Sequence, residues 1–120
     1  MVPRGHRNWI EVEHIGHVIV AKFTTPSIVD EEKILVIGRE LLNLVQQSGR
    51  RPLVLNFQGV ERASAELLNN IVALGKRARA RGGQIVFCDL NPEIAEVLKV
   101  MNPEDPVTIC EHEKEALSAV

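Results

Sequence analysis

Tyrosine is absent from this sequence, and three phenylalanines and one tryptophan are its only aromatic residues. Bases stack on aromatic faces, so a platform for single-stranded nucleic acid is excluded. Neither sign of charge is in excess: 14 basic residues stand against 16 acidic ones, for a net charge of -2. That balance gives no pull toward nucleic acid or an acidic membrane surface. Cysteine is scarce. Cys88 and Cys110 form no CxxC, and no histidine stands at metal-ligand spacing from either. Both fall in apolar, strand-like runs, where a reduced thiol behaves as a small core residue. A disulfide between them is allowed but not implied. No apolar run approaches the ~20 residues that span a bilayer, and no secretory signal is visible. A soluble, cytoplasmic protein is the expectation.

Catalytic signatures are missing as well. There is no Walker-type phosphate loop and no GxGxxG turn, and no GxSxG elbow to present a serine nucleophile. The Gly82-Gly83 pair reads as a turn. The four histidines, His6, His14, His17 and His112, are scattered. His14 and His17 flank Gly16 and can meet across a hairpin, but a metal site needs further ligands. Lys76, Arg77, Arg79 and Arg81 cluster at the end of an apolar helical pattern. Cations there oppose the negative end of the helix dipole, which favours a solvated helix end over a patch for nucleotide phosphates or an acidic partner. A non-enzymatic chain with no cofactor and no metal is expected.

What is present is organised. A chain of 120 residues, 45% of them hydrophobic, suits one domain with one core. Residues 1–8 read as a tail, with Met1 to His6 resembling a protease-tag remnant, and residues 9–120 as the domain. Trp9 to His14 alternates loosely, Val18 to Ala21 is a clearer strand, and Gly16 between them marks a hairpin. Thr24 to Ser27 is a breaker around Pro26. Asp30 reads as an N-cap followed by Glu31 and Glu32. Ile34, Ile37, Leu41, Leu42 and Val45 then repeat at helical spacing until Gly49. Leu53 to Leu55 shows no alternation, as expected of a central strand buried on both faces.

A second helix starts near Ala65, with Leu67, Leu68, Ile71, Val72, Leu74, Gly75 and Ala78 on its apolar face, and Gly82 ends it. Ile85 to Cys88 is another buried strand. Asn91, Pro92 and Glu93 open a third helix with Ile94, Val97, Leu98 and Met101 as its inner face. Asn102 to Pro106 breaks it, Val107 to Cys110 is a last strand, and Glu113 to Ala119 a closing helix. Two strands followed by alternating strands and helices imply an α/β fold: a single small domain whose mixed β-sheet is parallel in its later strands, with packed α-helices and right-handed crossovers.

These residues resemble the STAS domain family, the fold of bacterial anti-sigma-factor antagonists. The likeness covers nearly the whole chain from about Trp9. It rests on Leu53-Val-Leu-Asn-Phe-Gln-Gly-Val60, on the small-residue loop through Ser64, and on Arg79-Ala-Arg-Gly-Gly83 leading into Ile85-Val-Phe-Cys88. Asn91-Pro-Glu-Ile94 with Val97-Leu98 fits as well. In that family the loop after the central strand carries an acidic residue, two serines and a glycine, and a partner kinase phosphorylates the first serine. Aligned without gaps from Asn56 to Val60, the acidic position falls on Ser64 and the phosphorylated serine on Ala65. The next serine and glycine fall on Glu66 and Leu67. The chain departs from the motif at all four places; a one-residue slip brings Ser64 into the acceptor place.

Two readings of Ser64 stand side by side. It caps the helix that opens at Ala65, or it caps the helix and also accepts phosphate there, where free N–H groups and the dipole favour an anion. The resemblance implies a protein-binding regulatory domain of the anti-sigma-factor-antagonist type. Its partner is then an anti-sigma factor or a serine kinase of that type, held through Glu61, Arg62, Ala63, Ser64, Ala65 and Glu66. A small-ligand or nucleotide-binding sensor domain is the alternative, and a homodimer stays open. A phosphate-receiver domain shares the order of elements, but it needs a carboxylate after the central strand, where this chain has Asn56.

Overall fold

Alternation along each strand decides what the sheet faces. In the central strand Leu53 and Leu55 point to one side and Val54 and Asn56 to the other, and all four are buried. The absence of a polar face in Leu53–Asn56 thus reflects cover on both sides. A computed structural model describes residues 9–101 and 107–120. The tail expected at 1–8 and the break expected at Asn102 to Pro106 lie outside the described residues.

The strands β1 (Ile10–Ile15), β2 (Val18–Phe23), β4 (Leu53–Asn56), β6 (Ile85–Cys88) and β7 (Thr108–Cys110) form one sheet in the order β1-β2-β4-β6-β7. The β1–β2 pair is an antiparallel hairpin and every later pair is parallel. Gly16, in the two-residue turn, has φ +62°, a conformation that favours glycine. Leu53 and Asn56 lie opposite Ile85 and Cys88 in register, so the two strands expected to be parallel neighbours are so. A second sheet of two very short parallel strands pairs β3 (Ser27–Ile28) with β5 (Arg62–Ala63).

The helices divide between the two faces. The larger core joins Ile19, Ala21, Leu53, Leu55, Ile85 and Phe87 of the sheet to the inner sides of α1 (Glu31–Ser48), α2 (Ala65–Ala80) and α3 (Pro92–Met101). Leu67, Ile71 and Leu74 point inward together, as their spacing requires. The smaller core lies on the opposite face. There Val18, Val20, Val54, Val86 and Cys88 pack against Ala116 of α4 (Glu113–Ala119). No helix of the described residues is long and apolar enough to cross a membrane.

Two expectations need correction. Val97 does not belong to the inner face of α3: it is 41% exposed, while Ile94 and Leu98 are buried. The stripe follows Ile94, Leu98 and Met101, and Val97 falls at its margin. Asp30 takes the extended backbone of an N-cap, but its side chain makes no capping hydrogen bond.

Candidate functional site

The loop after the central strand is held at both ends by asparagines. At its start, Asn56 Oδ1 accepts from Gln58 N at 2.7 Å, while Asn56 Nδ2 donates to Glu113 Oε1 at 2.7 Å. Val60 N then donates to Phe57 O at 2.9 Å, closing a tight turn. Phe57 is fully buried beside Phe23 and Phe87, with ring centroids 4.6 and 5.9 Å away. Further along, Asn91 Nδ2 donates to Glu61 O at 2.9 Å, and Asn91 Oδ1 accepts from Ile94 N at 2.8 Å. One side chain therefore caps α3 and braces the loop.

Past Glu61 the chain is fixed by the short β3–β5 pairing. Glu61 N and Arg62 N donate to Pro26 O at 2.7 and 3.1 Å, and Ser64 N donates to Ile28 O at 3.0 Å. Pro26 and Ser27, expected within the breaker Thr24 to Ser27, thus form with Ile28 the wall on which the site loop rests. Lys33 secures that wall: its Nζ donates to Thr25 Oγ1 at 3.1 Å and to Ser27 O at 3.3 Å, and it lies 5.7 Å from the Trp9 ring centroid. Val29, just beyond the wall, is 52% exposed.

Ser64 is the N-cap of α2. Its backbone is extended, with φ -73° and ψ 154°, and its Oγ accepts from Leu67 N at 3.1 Å. Leu68 N donates to Ser64 O at 3.1 Å. The cap expected from the sequence is present. Ser64 and Ala63 are half-buried, and Glu61, Arg62, Ala65 and Glu66 are exposed. All six candidate residues therefore lie on one continuous rim running from the loop into the first turn of α2. The rim stands beyond the carboxyl end of β4, the end of a parallel sheet where α/β folds place their binding surfaces.

Other sequence candidates lie elsewhere. Lys76, Arg77 and Arg79 on the last turns of α2, and Arg81 at its C-cap, are exposed, as at a solvated helix end. His14 and His17 are exposed at the β1–β2 turn, and among the described residues no group of three His, Cys, Asp or Glu is placed to hold a metal. Cys88 and Cys110 are free thiols on neighbouring strands. Sequence reasoning missed the brace from Asn91 to Glu61 and the Asn56–Glu113 link. The signal for Asn56 was there: an amide in an otherwise apolar buried strand needs polar partners.

The comparisons agree with this architecture. The family model of the STAS domain matches residues 9–116. No curated protein matches the chain. Among solved structures, an anti-sigma-factor antagonist (STAS) domain protein from Planctomyces limnophilus is 25% identical with a TM-score of 0.79, over 92% of this chain and 95% of that one. The anti-sigma factor antagonist SpoIIAA in its unphosphorylated form is 14% identical with a TM-score of 0.69, over 92% and 96%. The Bacillus cell fate determinant SpoIIAA in its phosphorylated form is 13% identical with a TM-score of 0.70, over 92% and 97%. At such identities the two SpoIIAA structures speak for the fold alone. With the family model covering nearly all of it, and a mixed sheet and four helices arranged as in these neighbours, the chain belongs to the STAS domain family.

Proposed function

We propose that this chain is a non-catalytic regulatory domain that binds an anti-sigma factor, or a related serine kinase, through the rim Glu61 to Glu66. The observation that carries this reading is the placement of Ser64. Its hydroxyl sits at the N-terminus of α2, on a loop fixed by β3 on one side and Asn91 on the other. A loop held this firmly loses little freedom when a partner docks, which favours binding. The solved antagonist-type STAS domain protein from Planctomyces limnophilus supports the partner class.

Ser64 carries the only hydroxyl between Glu61 and Glu66. A kinase that switches this rim must therefore modify it. The first-turn N–H groups of α2 and the helix dipole accommodate a phosphate locally, but the added charge of about -1.5 to -2 has to be desolvated under a docked partner. Phosphorylation then releases the partner. A chain left unmodified stays a permanent binder. Mass spectrometry after incubation with an anti-sigma kinase tests the modification. Titration of that kinase with Ser64→Ala and Ser64→Asp tests the surface: the alanine variant binds and the aspartate variant binds more weakly. Equal binding of both, with phosphate on another serine, contradicts the reading.

A further inference from the structure

The helices α1 and α2 leave an open groove between them of about 400 Å³. Leu35, Leu42 and Leu74 give it an apolar lining, and Leu35 is 63% exposed. Glu66 and Arg77 both line it, so it follows α2 for roughly 16 Å, about three turns. Through Glu66 it is continuous with the rim around Ser64.

Gly38 lies in this groove, in the interior of α1. Glycine is a poor helix former, because it adds backbone freedom to the unfolded chain. Nothing in the fold asks for it: a Cβ built at Gly38 meets no atom within 4 Å. The missing side chain instead opens the groove to close approach from outside. Arg39 and Arg77 also line the groove, both exposed. Neither forms an ion pair with a described acidic residue.

We propose that this groove receives an amphipathic helix of the protein partner, with an apolar ridge and carboxylates along its flank. The ridge packs on Leu35, Leu42 and Leu74, comes closest at Gly38, and the carboxylates meet Arg39 and Arg77. This is helix-in-groove recognition, and it rests on the protein-binding reading of the Ser64 rim. A second copy of the chain is the rival occupant, since α3 exposes Val97 and Val100. Such a contact would join two different faces and run on into open chains unless its rotation closed a ring. A separate partner meets no such constraint.

The test uses the full chain, nitrogen-15 labelled, and two synthetic 16-residue helical peptides. Both carry leucines at i, i+3, i+4 and i+7; one has glutamates on its flanks and the other lysines. The acidic peptide is expected to move the amide signals of Leu35, Gly38, Arg39, Ala73 and Arg77, and to bind at least about tenfold tighter than the basic one. Gly38→Leu fills the groove without disturbing a helix. It should abolish peptide binding while its circular dichroism and melting temperature match or exceed those of the parent. Arg39→Glu with Arg77→Glu should reverse the peptide preference. Equal binding of both peptides, no shifts at these residues, or Gly38→Leu binding like the parent overturns the proposal, as does self-association through the groove in sedimentation. Its failure is distinct from failure of the Ser64 reading. If an anti-sigma factor binds the parent and Gly38→Leu equally, the groove is wrong and the rim stands. If the acidic peptide enters the groove but no anti-sigma factor binds, the partner class is wrong.

Discussion

The amide of Asn56 ties the central strand to the last helix: its Nδ2 donates to Glu113 Oε1 at 2.7 Å across 57 residues of sequence. The same side chain accepts from Gln58 N, so one buried group, 3% exposed, fixes both α4 and the first turn of the site loop. Lys22 Nζ stands 3.9 Å from the same Glu113 oxygen. A hydrogen bond to a charged group is worth about 1.5–3 kcal/mol, and a buried partner left alone costs about as much.

Asn56→Asp keeps the acceptor for Gln58 but sets a carboxylate against Glu113. The variant should lose at least about 2 kcal/mol at pH 7 in urea unfolding. The deficit should shrink at acid pH, where protonation of the introduced carboxyl restores a donor. A deficit that does not change with pH contradicts the pairing.

Ser64→Ala removes the side-chain acceptor for Leu67 N–H and should cost about 1 kcal/mol. Ser64→Asp should cost no more than a few tenths, because aspartate caps about as well as serine. Thermal melts of the three proteins check this independently of any partner.

Burial raises the carboxyl of Glu40 above its ordinary value of 4.5, and its Oε1 is shut off with no hydrogen-bond partner among the described residues. The folded state therefore holds this proton more tightly than the unfolded state. Stability from the group is present below 4.5 and is lost as pH rises through the raised folded value. Glu40→Gln should accordingly raise the melting temperature at pH 7, and the gain should vanish below about pH 4.

Burial, aided by the Asp89 carboxylate, pushes the Cys88 thiol up to about 12. Thiolate is the reactive form, so Cys88 is inert at neutral pH. Iodoacetamide should label the half-buried Cys110 first in the native protein, and Cys88 only after unfolding. Peptide mapping distinguishes the two.

Much of the fold was legible because its elements carry local signals. The helical spacing of Leu67, Ile71 and Leu74, the cap at Ser64 and the unbroken apolar runs at Leu53 and Ile85 each depend on near neighbours in sequence. The strands Ser27–Ile28 and Arg62–Ala63 were not legible: two residues have no period, and their pairing spans the whole of α1 and β4. Asn91 showed half of its role. Its cap on α3 is local, whereas its bond to Glu61 O depends on where two loops meet in space. Family likeness points to Glu61 to Glu66 as a unit, whereas the shape of that rim comes from the pairing with β3, which the sequence hides behind Pro26.

Calorimetric titration of an anti-sigma kinase with the parent chain, Ser64→Ala and Ser64→Asp decides whether a protein partner docks over Ser64. The parent and Ser64→Ala should bind alike. Ser64→Asp should bind at least about tenfold more weakly, a loss of about 1.4 kcal/mol, while its fold stays intact. Three titrations of equal affinity would rule out docking over Ser64 and place the docking surface elsewhere.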